Sequence, residues 1–134
     1  MLDHILDEVL LAQLKSVPAL ATLHGFTGQD NAEHKLPALT VSPTSEPLAG
    51  SDTAFRGEVD VILESEAHDT TAAIHGERVE AARAALASHP AVIAALNTTG
   101  RLHIYGYAPL GTEPTAGDAR FTTKLKYRFG FGPA

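Results

Sequence analysis

The sequence predicts an α+β domain with a mainly antiparallel β-sheet, an N-terminal helix, and a central helix packed on one face. Three observations carry this expectation. Phe55, Gly57, Val59, Val61 and Leu63 alternate with Arg56, Glu58, Asp60, Ile62 and Glu64, the period of a strand with one buried face. Past Ser65 the period changes, and His75, Val79, Ala82 and Leu86 recur at helical spacing with Glu77, Arg78, Glu80 and Arg83 turned elsewhere. Near the C-terminus, Phe121, Thr123, Leu125, Tyr127, Phe129 and Phe131 alternate with Arg120, Thr122, Lys124, Lys126 and Arg128.

The first helix is read from Leu2, Ile5, Leu6, Val9, Leu10 and Leu14, with Asp3, Asp7 and Glu8 favourable against the helix dipole. Val17-Pro18 ends it, because the residue before proline is pushed out of the α region. Ala19–Leu23 is expected as a short strand, followed by a polar loop through Gly25, Gly28, Asp30 and Asn31. Leu36–Val41 reads as a strand that Pro37 confines to an edge or to its own first residues. Residues 43–54 are rich in Ser, Thr, Pro and Gly and are expected to form a loop.

Asp69, Thr70 and Thr71 are good N-caps for a helix running from about Thr71 to Ser88 and stopping at His89-Pro90. A short helical turn over Ala91–Leu96 follows, closed by Asn97 to Gly100. Leu102, Ile104 and Gly106 alternate with His103, Tyr105 and Tyr107 in a further strand. Pro109–Asp118 is expected as a loop before the long strand at 120–131. No repeat or long linker divides the chain, so residues 1–134 are read as one domain.

Composition narrows the function. Hydrophobic content of 44% and charged content of 19% are those of a globular chain. At this length a domain buries roughly two-thirds of its unfolded surface, enough for a real core. A formal net charge of −6 argues against DNA or RNA binding as the main activity, since phosphate contacts need clustered Lys and Arg. The absence of cysteine removes disulfides, thiolate catalysis and Cys-based metal sites together. The acidic start of the chain is unlike a signal peptide, and no apolar run approaches the ~20 residues of a membrane helix. The expectation is a soluble protein, intracellular at synthesis, with no membrane contact.

No catalytic, cofactor-binding or metal set emerges, and the chain is expected not to be an enzyme. His68, Asp69 and His75 flank the start of the central helix, but metal pairs on a helix stand three or four apart. There is no Gly-x-Ser-x-Gly elbow, and Ser51-Asp52 and Ser65-Glu66 have no histidine in a recognisable relation. The pairs Glu58/Asp60 and Glu64/Glu66 are interleaved with Arg56 and Ile62, a setting for solvation or subunit contact rather than a secluded acid. Tyr127, Phe129 and Phe131 are read as core rings, each contributing ~1.5–3 kcal/mol when buried.

Arg56, Glu58, Asp60 and Glu64 on one strand and Lys124, Lys126 and Arg128 on another stand out as candidate subunit-interface residues. If the strands are neighbours, opposite charges pair across them within one chain, each pair worth ~0.2–1 kcal/mol. The alternative is that one subunit's basic strip meets the next subunit's acidic strip. Both readings fit the alternation.

The order of elements and the run from Phe55 to Ser65 leading into His75–Leu86 resemble small neck and tail-completion proteins of tailed phages. Tyr105-Gly106-Tyr107 and Phe121–Tyr127 look similar too, so the resemblance covers most of residues 1–132. Within that group the chain is most similar to the tail terminator type. The resemblance implies a small α+β domain that forms a homo-oligomeric ring, typically a hexamer, at the head-proximal end of the tail. Such a ring ends tube growth and joins tail to head as a structural virion protein, assembled in the host cytoplasm. It implies as partners other copies of the chain, the tail tube protein and a head-completion or connector protein, with DNA passing through the lumen without specific binding. It implies no catalytic residue and no cofactor. The polar segments at 24–35 and 43–54 are extra material relative to that group. Two alternatives stand beside it: another neck or tail-tube component, and a small cellular α+β ligand-binding domain, which would need a pocket with convergent polar groups.

Overall fold

A computed structural model of the chain describes residues 2–27, 36–47, 55–66, 72–87, 89–116 and 120–133. Helix α1 (Leu2–Lys15) leads through a 3-10 turn (Pro18–Leu20) to β1 (His24–Thr27), β2 (Ala38–Pro47) and β3 (Phe55–Glu66). Helices α2 (Ala72–Ala85) and α3 (His89–Asn97) follow, then β4 (Leu102–Ala116) and β5 (Arg120–Pro133). The strands form one sheet in the order β1-β2-β3-β5-β4. Only the β1–β2 pair is parallel; β2–β3, β3–β5 and β4–β5 are antiparallel.

All three helices pack on the same face of this sheet. Val59, Val61 and Leu63 of β3 and Leu125, Phe129 and Phe131 of β5 join a single buried cluster with Leu6, Leu10 and Leu14 of α1. Val79 and Ala82 of α2 and Val92 and Leu96 of α3 complete it. The α+β expectation, with a mainly antiparallel sheet and an N-terminal and a central helix on one side, therefore holds.

Four local expectations do not. Ala19–Leu23 is no strand: Pro18 starts a 3-10 turn, in which the Leu20 N–H donates to the Val17 carbonyl at 2.9 Å and the Leu20 side chain is buried. The strand lies at His24–Thr27 instead, within the segment expected to be a polar loop, and exists because it pairs with Ala38–Val41. Residues 43–47 continue β2 opposite Phe55–Val59, and residues 109–116 continue β4 opposite Phe121–Tyr127. Pro43, Pro47, Pro109 and Pro114 hid these extensions, because proline lacks the N–H that an interior ladder needs. Beyond Val41 no described strand pairs the outer side of β2, and β4 is an edge of the sheet, so both strands have a side on which a missing donor is tolerated. The remainder of the expected loops, and the N-cap candidates Asp69, Thr70 and Thr71, lie outside the described residues.

The expected alternation in β4 also breaks. Tyr107 is buried with Leu102 and Ile104 instead of lying with Tyr105 on the other side. Register shifts between Ile104 and Gly106 and between Pro109 and Gly111 change the parity. They leave Tyr105 60% and Leu110 41% exposed. Gly111 sits at the second shift with φ +155, and Gly100 closes α3 with φ +71, both conformations that side chains resist.

Helix α2 is tied to the sheet by a buried polar chain. His75 Nδ1 lies 2.9 Å from the Ser65 hydroxyl of β3, and Nε2 lies 2.9 Å from the Thr123 hydroxyl of β5. Arg78 also donates to Ser65 Oγ at 3.3 Å, and the two ring nitrogens of His75 divide between the hydroxyls of Ser65 and Thr123. This arrangement suits the neutral imidazole. Burial, followed by the nearby Arg78 guanidinium, accordingly lowers the His75 pKa from its ordinary 6.5.

Two outcomes follow from this packing. Phe129 is fully buried, and Phe129→Ala should cost about 3–5 kcal/mol in denaturant unfolding; an equally stable variant would place the ring elsewhere. For His75 the unfolded chain binds the proton more readily, so its contribution to stability is intact above pH 6.5 and is lost as pH falls below that value. The unfolding free energy of His75→Gln should therefore fall less steeply with acid over that range than that of the parent chain.

Candidate assembly surface

The sheet's second face turns away from the helices, and no described helix covers it. The same alternation that buries Val59, Val61 and Leu63 turns Arg56, Glu58, Asp60, Ile62, Glu64 and Glu66 outward. On β5 it turns out Arg120, Thr122, Lys124, Lys126 and Arg128. The register sets Glu58 opposite Arg128, Asp60 opposite Lys126, Ile62 opposite Lys124 and Arg56 opposite Gly130. All seven residues singled out from the sequence thus lie on one face of two neighbouring strands.

Ion pairs cross that face. Arg120 Nη1 meets Glu64 Oε2 at 2.8 Å, and the Glu64 side chain is only 13% exposed. Arg128 Nη2 and Glu58 Oε1 stand 3.7 Å apart between half-exposed side chains. Lys126 turns from its register partner Asp60 to Glu113 of β4, at 3.6 Å. Among the described residues Asp60 and Lys124 make no ion pair within 4 Å. Pairing within the chain, one of the two readings of the alternation, is present in this geometry.

Charge is therefore laid out in columns. Glu58, Asp60, Glu64 and Glu66 line β3, Arg120, Lys124, Lys126 and Arg128 line β5, and Glu113 stands on β4 beyond them. Arg56 adds a cation to the acidic column of β3, at a register position opposite Glu46 of β2. Columns about 4.8 Å apart cancel one another beyond a Debye length of roughly 8 Å. Such a face sets register at contact and attracts weakly at a distance.

Arg120 and Glu113 belong to this surface but were not among the candidates from sequence. Glu113 was hidden in a stretch expected to be a loop. Arg120 opens the basic alternation, yet only the strand register shows it reaching Glu64. The sequence also gave no hint that Ser65 has a histidine partner. Ser65 is 2% exposed and accepts from Arg78, so the pair has no path to a substrate and serves to hold α2. Of the residues weighed as metal ligands, His75 spends both ring nitrogens on hydroxyls, and His68 and Asp69 lie outside the described residues. Among the described residues no three His, Asp or Glu side chains gather as a ligand set.

No protein-family model matches this chain. No curated protein matches it either. Among solved structures, one whose name states no function covers 96% of this chain and 90% of its own length at 14% identity, with a TM-score of 0.47. A likeness at that level carries no argument here.

The surface yields a graded expectation. In double-mutant cycles read by denaturant unfolding, the half-shielded Glu64–Arg120 pair should couple by up to about 1 kcal/mol, and Glu58–Arg128 by a few tenths at most. Equal couplings would mean that shielding of Glu64 has no energetic consequence.

Proposed function

We propose that this chain is a structural subunit of a phage tail, of the terminator type. It assembles into a ring at the head-proximal end, ends tube growth and joins tail to head. The observation that carries this reading is the sheet face that no described helix covers, with acidic and basic columns in register on adjacent strands. A ring needs a heterologous interface, one patch on each subunit meeting a different patch on the next. The β3 column of one subunit against the β5 column of its neighbour would supply it. The exposed pairs exchanged in that step are worth only ~0–1 kcal/mol each, so opening them costs little. Apolar area at the contact then provides the affinity, and the charges provide register.

The sheet edges support closure over endless growth. Beyond β1, β2 carries Pro43 and Pro47, and the edge strand β4 carries Pro109 and Pro114. Missing N–H donors at these positions oppose strand-to-strand pairing with another copy. That weighs for a subunit that meets others through its face, and against a tube component that polymerises through its edges. The ring's partners on this reading are the tube protein below and a head-completion or connector protein above. DNA passes through the lumen without specific binding, helped by the acidic charge of −6. The place of action is the virion neck, after assembly in the host cytoplasm. No described helix is long and apolar enough to cross a membrane. No catalytic step is assigned.

Light scattering or native mass spectrometry, with negative-stain images, tests the reading. The expected result is a closed ring of roughly six copies, the size that the family resemblance implies. A triple Lys124→Glu, Lys126→Glu, Arg128→Glu variant should stay folded and fail to close. A triple variant that assembled as well as the parent would remove the charge argument, and open filaments in the images would favour a tube component.

A further inference from the structure

A cleft of about 440 Å³ opens on the helical side of the sheet, between the C-terminal half of α2 and the middle of β4. That volume lies within the range of small-molecule sites, roughly 300–1,000 Å³. Its floor is Tyr127, 5% exposed, whose ring stacks on Tyr107 at 5.6 Å. Tyr107 is itself pinned by a hydrogen bond from its hydroxyl to the Leu86 carbonyl at 2.6 Å. The floor is thus rigid before any ligand arrives.

The two stacked tyrosines differ in one respect. The Tyr107 hydroxyl is satisfied, whereas among the described residues the Tyr127 hydroxyl has no hydrogen-bond partner and faces the cleft. A phenylalanine would fill the same space without a polar group to satisfy. Burial pushes the Tyr127 phenol up to about 12, while Arg83 acts in the opposite sense, placing positive potential at the oxygen. The hydroxyl therefore remains a donor at any ordinary pH. Arg83 spends Nη1 on Glu80 at 3.0 Å, which leaves further guanidinium N–H groups to donate. Ala84 of α2, Ala87 just past the end of that helix and Pro109 of β4 give the walls apolar surface.

We propose that this cleft binds a small organic carboxylate. The carboxylate accepts hydrogen bonds from the Tyr127 hydroxyl and the Arg83 guanidinium, and the apolar part of the ligand rests on Ala84, Ala87 and Pro109. Two donors lining one cleft, over a stacked aromatic floor, suit an anion with an apolar tail. Glu80 opposes the anion from the rim and so limits affinity. This site lies on the opposite face of the sheet from the charged columns and does not depend on the ring reading.

The test is an amide NMR titration of the intact chain with benzoate and hexanoate, using benzamide and hexanamide as neutral counterparts. The carboxylates should shift the Ala84, Gly111 and Thr112 amides saturably, and the amides should not. Tyr127→Phe removes only the unpaired oxygen and should melt at or above the parent temperature. It should weaken benzoate binding about tenfold, the effect of one charge-assisted hydrogen bond. Arg83→Met should do the same, and Glu80→Gln should tighten binding about threefold by removing a like charge. Equal shifts from the neutral counterparts, no saturable shift at all, unchanged affinity in a folded Tyr127→Phe chain, or weaker binding in Glu80→Gln would each overturn the proposal.

Discussion

The antiparallel register of β3 with β5 is the constraint on which the rest of this structure depends. It places Val59 opposite Tyr127 and Val61 opposite Leu125 on the helical side, and Glu58 opposite Arg128 on the other. Because side chains alternate with a period of two, a slip of one residue would send Phe129 and Phe131 into water and Arg128 into the core. Burial of those two rings, reinforced by the stacking of Phe131 on Phe55 at 5.8 Å, makes any other register costly. The charged face therefore owes its order to the apolar face. Ion pairs of this exposure are too weak to select a register unaided.

The same two strands position α2. Ser65 and Thr123 belong to the inward set of β3 and β5, and His75 bridges them with one nitrogen each. A leucine at position 75 would add apolar contact but would leave the Thr123 hydroxyl without its partner and Ser65 with Arg78 alone. Using histidine fixes the rotation of the helix about its own axis, since only one orientation reaches both strands. That orientation sets Arg83 beside the cleft and leaves Glu80 on its rim. The core, the buried polar chain and the cleft are consequences of a single packing arrangement.

The two surfaces divide the molecule sensibly. The face of charged columns is broad and carries both signs of charge side by side, which suits contact with another protein surface. The helical side holds the concave site, lined by Tyr127 and by Arg83. Proline at the outer positions of β2 and β4 limits what the edges can do. On the proposed readings, copies of the chain would meet through its faces, and a carboxylate would bind in the groove beside α2.

The amino-acid sequence by itself determined the α+β class, the inward and outward sets of β3 and β5, and the buried stripe of α1. Each follows from a periodicity, and periodicity reports a local rotation that any packing partner must respect. Only tertiary structure decided the rest. His24–Thr27 is a strand because Ala38–Val41 lies beside it, and no local propensity announces that. Pro43, Pro47, Pro109 and Pro114 read as loop in isolation, yet each is acceptable on a strand whose outer side needs no donor. Tyr107 joined the core because a register shift changed parity. Ser65, His75 and Thr123 are separated along the chain by 10 and 48 residues, and Glu64 from Arg120 by 56. Contacts at such separations are set by the sheet's register and by where the helix lands, which no pattern within a single segment encodes.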